Sequence, residues 1–74
     1  MATTYAELVA ERVRAQMGRR RISQHQLADK LGRSQSYVSR RCRGVDPLDV
    51  EELEAIAEAL QVPIAELIPL PEAS

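Results

Sequence analysis

Apolar positions recur along this chain at the helical period and nowhere at the alternating period of a strand. Tyr5, Leu8, Val9, Val13, Gln16 and Met17 share one face of a first helix, with Glu7, Glu11, Arg12 and Arg14 on the other. Thr3 or Thr4 is available to cap its start, and Gly18 or the triplet Arg19-Arg20-Arg21 is placed to end it. Ile22 then plugs the core. Ser23 and Gln26 form a capping box before Leu27, Ala28 and Leu31, and Gly32 closes that second helix. Ser34 caps a third helix running from Gln35 to about Arg43 and stopping at Gly44.

The loop that follows contains Pro47, and Asp49 with Glu52 opens a fourth helix whose apolar stripe is Val50, Leu53, Ile56, Ala57 and Leu60. Pro63 suits the first turn of a short fifth helix carrying Ile64, Leu67 and Ile68. The pattern therefore predicts a compact all-α fold of five helices over residues 1–68, with 69–74 as a tail or the start of a linker. Two short helices meeting through a glycine-containing turn at 23–44 make a helix-turn-helix.

The third helix breaks the pattern of an ordinary solvated face. From Gly32 through Val45 no acid occurs, and Gln35, Ser36, Ser39 and Arg40 supply the directed donors and acceptors that match base edges in the major groove. Gln35, in the first turn, suits adenine N6 and N7. Arg40 suits guanine O6 and N7, with a phosphate or an acid on the fourth helix as its other partners. Gln24, at the start of the preceding helix, is placed to hold a phosphate together with the helix's free N–H groups. Arg19, Arg20, Arg21, Arg33, Ser34 and Arg43 are backbone-contact candidates. Tyr37 is placed either to touch a sugar or thymine methyl or to pack on the fourth helix or the turn.

The run Ile22-Ser-Gln-His-Gln-Leu-Ala-Asp-Lys-Leu-Gly32, with Ser34-Gln-Ser-Tyr-Val-Ser-Arg40 and Arg43-Gly44, resembles the phage repressor and Cro-like helix-turn-helix family, the XRE type. The similarity continues through Val50, Leu53, Ile56, Ala57, Leu60, Val62 and Leu67. It implies a lambda-repressor-like domain binding operator DNA, with Gln24 on phosphate, and it extends to phage immunity repressors. The chain departs from the family pattern at Arg41, where a large apolar residue is usual, and at Cys42, where glutamate is frequent. These departures predict a slightly rotated third helix with Cys42 buried.

At 74 residues the chain is one small domain, and 45% hydrophobic residues suffice for a helical core. A single cysteine excludes an internal disulfide, and no zinc-ligand spacing or cofactor motif is present. His25 reads as a surface residue. No apolar run approaches a membrane span and no signal-peptide core occurs, so the expected location is the cytoplasm of a bacterial or phage-infected cell. A net charge of −1 argues against a nucleic-acid binder until its distribution is considered. Residues 1–44 hold all ten bases against three acids, a net +7, whereas 45–74 hold eight acids and no base, −8. This asymmetry orients the basic half toward phosphate and the acidic half away.

These features predict sequence-specific duplex-DNA binding by a transcriptional regulator, a repressor in the first instance. The alternative is a protein-interaction module, antitoxin-like or dimerising, using the acidic helix 49–60 and the apolar segment 64–70. Ile64, Leu67 and Ile68 are the surplus apolar residues for a homodimer. No paired-carboxylate pocket, phosphate loop or nucleophile–base pair supports an enzyme or a small-molecule substrate.

Overall fold

A computed structural model describes residues 3–69, arranged as four α-helices and a terminal 3-10 turn, with no strand among the described residues. Helix α1 spans Tyr5–Arg20, α2 Gln24–Leu31, α3 Gln35–Cys42 and α4 Val50–Leu60; the turn is Ile64–Leu67. The fifth helix expected after Pro63 is thus a single 3-10 turn, because only four residues separate the proline from the extended backbone at Ile68. Leu70 and the rest of the expected tail beyond Pro69 lie outside the described residues.

Each helix begins as its sequence predicts. Thr4, Ser23 and Asp49 form reciprocal capping boxes with Glu7, Gln26 and Glu52, and the Ser34 hydroxyl accepts the Tyr37 N–H at 3.1 Å. The helix ends also share one geometry. Paired backbone bonds of the Schellman kind close all four, around Arg21, Gly32, Gly44 and Gln61, each in the left-handed region. Two of these positions are glycines; Arg21 (φ 56) and Gln61 (φ 58) hold the same conformation with a Cβ.

The core joins Val9, Val13 and Met17 of α1 to Leu27 and Ala28 of α2, Val38 and Cys42 of α3, and Leu53, Ile56, Ala57 and Leu60 of α4. Helix α1 packs on α3, α4 and the 3-10 turn, while α2 packs on α3 and α4. Cys42 takes the buried role, 2% exposed, with its thiol 3.7 Å from the Met17 sulfur. Three expectations are corrected here. Leu67 is completely buried against α1 and α4 and Ile64 packs on the same core, so Leu67 is not surplus surface for a homodimer. Tyr5 and Val50, the first residues of α1 and α4, sit at the ends of their apolar stripes and are 58% and 66% exposed.

Candidate nucleic-acid interface

Burial of Val38 and Cys42, one turn apart on α3, fixes which side of that helix faces out. Ser36 and Arg40 are exposed and Ser39 half-buried on the side left open, while Gln35, three residues before Val38 and so on the core-facing side, is exposed as the first residue of α3. Among the described residues no intramolecular hydrogen bond engages the side chains of Gln35, Ser36 or Ser39. Arg33, Ser34 and Arg43 are exposed at the two ends of α3, and Gln24 is half-buried at the start of α2. The structure therefore places Ser36, Ser39 and Arg40 on the outer side of α3 and Gln35 at its exposed start, with Arg33, Ser34 and Arg43 at the two helix ends.

Several candidates are engaged within the fold, Arg20 and Tyr37 among them. Arg20 donates through Nη2 to the Gln61 carbonyl at 3.4 Å, across the end of α4. Tyr37 donates its hydroxyl to Glu52 Oε2, and its ring lies between the guanidinium groups of Arg41, 3.6 Å from the centroid, and Arg33, at 4.9 Å. Of the two placements open to Tyr37, the structure adopts packing against α4. Burial and the Glu52 contact push the Tyr37 hydroxyl above its ordinary pKa.

The residue that departs most from the family pattern, Arg41, completes this cluster. Its Nε donates to Glu52 Oε2 at 2.7 Å, and both side chains are less than one-fifth exposed. Arg41 thus bridges α3 and α4 where an apolar side chain is usual. Glu52 joins three partners: the Tyr37 hydroxyl, Arg41, and the Asp49 N–H, which donates to Oε1 at 3.1 Å. Burial alone raises a carboxyl pKa; here the bonds from Tyr37, Asp49 and Arg41 outweigh it, and Glu52 lies below its usual range.

The acidic half is consequently less segregated than its sequence suggests. Asp46 turns back onto α3 and takes Arg40 in a two-pronged contact, Nε to Oδ2 at 2.8 Å and Nη2 to Oδ1 at 3.1 Å. The acid that Arg40 finds lies in the loop, not on α4. That hydrogen-bonded pairing lowers the Asp46 pKa and raises that of Arg40. Arg14 is a further basic residue with an internal role, donating Nη1 to the Cys42 carbonyl at the end of α3. Helical spacing carries no signal for Asp46, whose approach depends on the chain reversal at Gly44; Arg14 is marked only by its opposite side from the α1 stripe.

A helix-turn-helix family model matches residues 13–67. No curated protein matches the chain. Among solved structures, the clp gene regulator ClgR from C. glutamicum is similar with a TM-score of 0.85 and 21% identity, over 89% of this chain and 86% of that one. Streptomyces albus HEPD, solved with its substrate 2-hydroxyethylphosphonate and Fe(II) bound, is similar with a TM-score of 0.76 and 31% identity. That match covers 100% of this chain but 17% of the other.

Proposed function

This chain belongs to the helix-turn-helix family of DNA-binding transcription regulators, and from that premise we propose that it binds duplex DNA sequence-specifically as a cytoplasmic repressor. The observation that carries the reading is the division of α3: Val38 and Cys42 are sealed in the core while Ser36, Ser39 and Arg40 line the open side and Gln35 stands exposed at the helix start. A helix so anchored can lie in the major groove and offer those side chains to base edges. Gln35 reads adenine, with Ser36, Ser39 and Arg40 completing the contact. Gln24, Arg19, Arg21, Arg33, Ser34 and Arg43 hold phosphates and set register, carrying no sequence information themselves.

Repression needs only occupancy of a site near a promoter, which one DNA-binding face supplies. The exposed Glu51, Glu54 and Glu58 of α4 belong to the acidic half and favour encounters in which the basic half leads. The test is selection of duplexes from a randomised pool, followed by titration at two salt concentrations. An enriched motif that Gln35→Ala relaxes at one position, with affinity falling steeply in salt, is the expected result. An inverted repeat in that motif reports two copies on the operator. Absence of duplex binding overturns the reading and favours a protein partner for the acidic half.

A further inference from the structure

The chain leaving α3 turns straight back on it. Gly44 adopts φ 76, and the N–H groups of Gly44 and Val45 donate to the carbonyls of Arg41 and Arg40 at 3.2 and 3.0 Å. The Asp46 N–H reaches the same Arg40 carbonyl at 3.5 Å. This reversal lays the Asp46 carboxylate along the Arg40 side chain, where it engages Nε and Nη2 together. Asp46 Oδ2 also lies 3.6 Å from Arg41 Nη1, but Arg41 is turned toward Glu52 and is 19% exposed against 49% for Arg40. Of two adjacent arginines, one is tied to α4 and the other stays on the open face.

A guanidinium carries five N–H donors in one plane. Asp46 occupies the side edge, formed by Nε–H and one Nη2–H, which leaves the end-on pair on Nη1 and Nη2 directed away from the carboxylate. That pair matches the spacing of guanine O6 and N7. An unrestrained arginine can swing to a nearby phosphate, whereas a carboxylate bound along the side chain fixes its direction and disfavours an approaching anion. We propose that Asp46 is a specificity-determining positioning residue: it aims the end-on edge of Arg40 at a guanine in the major groove and withholds Arg40 from phosphate. The proposal rests on the reading of α3 as the base-reading helix.

The experiment is pool selection with the wild type, Asp46→Asn and Arg40→Lys, each checked by circular dichroism and thermal melting. The wild type selects a guanine at one position by roughly ten-fold over other bases. Asp46→Asn lowers that preference several-fold at that position alone, and binds unrelated duplex more tightly at low salt because one acid is gone and Arg40 is released. A purely structural role weakens binding to all sequences alike and leaves the guanine preference in place. Arg40→Lys keeps the charge but loses the planar fork, and lowers the preference several-fold at the same position. Retention of the guanine preference in Asp46→Asn overturns the proposal, and Asp46→Ser supplies the same test where Asp46→Asn does not fold; retention in Arg40→Lys removes Arg40 as the guanine reader and the proposal with it. A wild type that enriches no motif overturns the reading of α3 as well, an outcome distinct from an unchanged motif in the variants.

Discussion

Arg14, on the solvent side of α1, donates a hydrogen bond to the main-chain carbonyl of Cys42, the last residue of α3. The cation thus sits at the negative end of the helix dipole and satisfies a carbonyl that the helix itself leaves open. One basic residue of the positive half thereby holds α3 against α1. Arg14→Met is expected to destabilise the fold by about 1–2 kcal/mol, read by urea unfolding. The salt dependence of duplex binding is expected to stay unchanged, since Arg14 holds no phosphate; a shallower salt slope assigns it to DNA instead.

The three glycines separate into three cases. Gly44 combines a positive φ with close approach: a Cβ there lies 3.0 Å from the Glu7 Cα and 3.4 Å from its N. Gly32 has φ 66 but open space around it, and Gly18 lies within α1 with nothing near. Gly18→Ala is expected to stabilise by about 0.5–1 kcal/mol through helix propensity. Gly32→Ala is expected to cost about 1 kcal/mol. Gly44→Ala is expected to cost the most, because the backbone of α1 has to move as well as the turn. Thermal melts of the three variants test the order, and a Gly44→Ala variant no worse than Gly32→Ala removes the close approach from the account.

Local signals made most of this fold legible from its sequence. The pairs Ser23 with Gln26 and Asp49 with Glu52 mark helix starts because capping acts over three residues. Gly32 and Gly44 mark ends because a positive φ favours glycine locally; the close approach of Glu7 to Gly44 carries no such signal. Arg21 and Gln61 perform the same service without glycine, so their left-handed turns leave no trace in composition. The exposure of Gln35 follows from its place at the helix start, and the outer side of α3, with Ser36, Ser39 and Arg40, could be read from the spacing of Val38 and Cys42. The tie between Arg41, Tyr37 and Glu52, and that between Arg40 and Asp46, could not, because each depends on how separate elements meet or reverse.

Glu52 makes the stability of the interface pH-dependent in a predictable direction. Its folded pKa lies below the usual range, so the stabilisation it supplies is complete above the unfolded carboxylate pKa, about 4.3, and is lost as pH falls through the folded value. Melting temperature is therefore expected to decline below about pH 4.5, with Asp46 contributing in the same sense. Glu52→Gln is expected to lower stability near neutrality by about 1–2 kcal/mol and to flatten that acid decline. A variant whose melting curve against pH parallels the wild type places the dependence elsewhere.

Arg21 and Gln61 together separate fold from function. Both hold a left-handed conformation that costs a Cβ-bearing residue roughly 1–2 kcal/mol, and both close a helix by the same backbone bonds. Replacement by glycine is expected to stabilise each by about 1 kcal/mol. Gln61, at the end of the acidic α4, is not among the proposed contacts and meets Arg20 only through its main-chain carbonyl, so Gln61→Gly is expected to leave duplex affinity and its salt dependence unchanged. Arg21 is exposed at the entry to α2 and is proposed to hold a phosphate. Arg21→Gly is therefore expected to melt higher yet bind more weakly to all duplexes alike, with the salt slope reduced by about one. Equal gains in stability with an unchanged slope in both variants strike Arg21 from the contacts and leave Gln24, Arg19, Arg33, Ser34 and Arg43 to set the register.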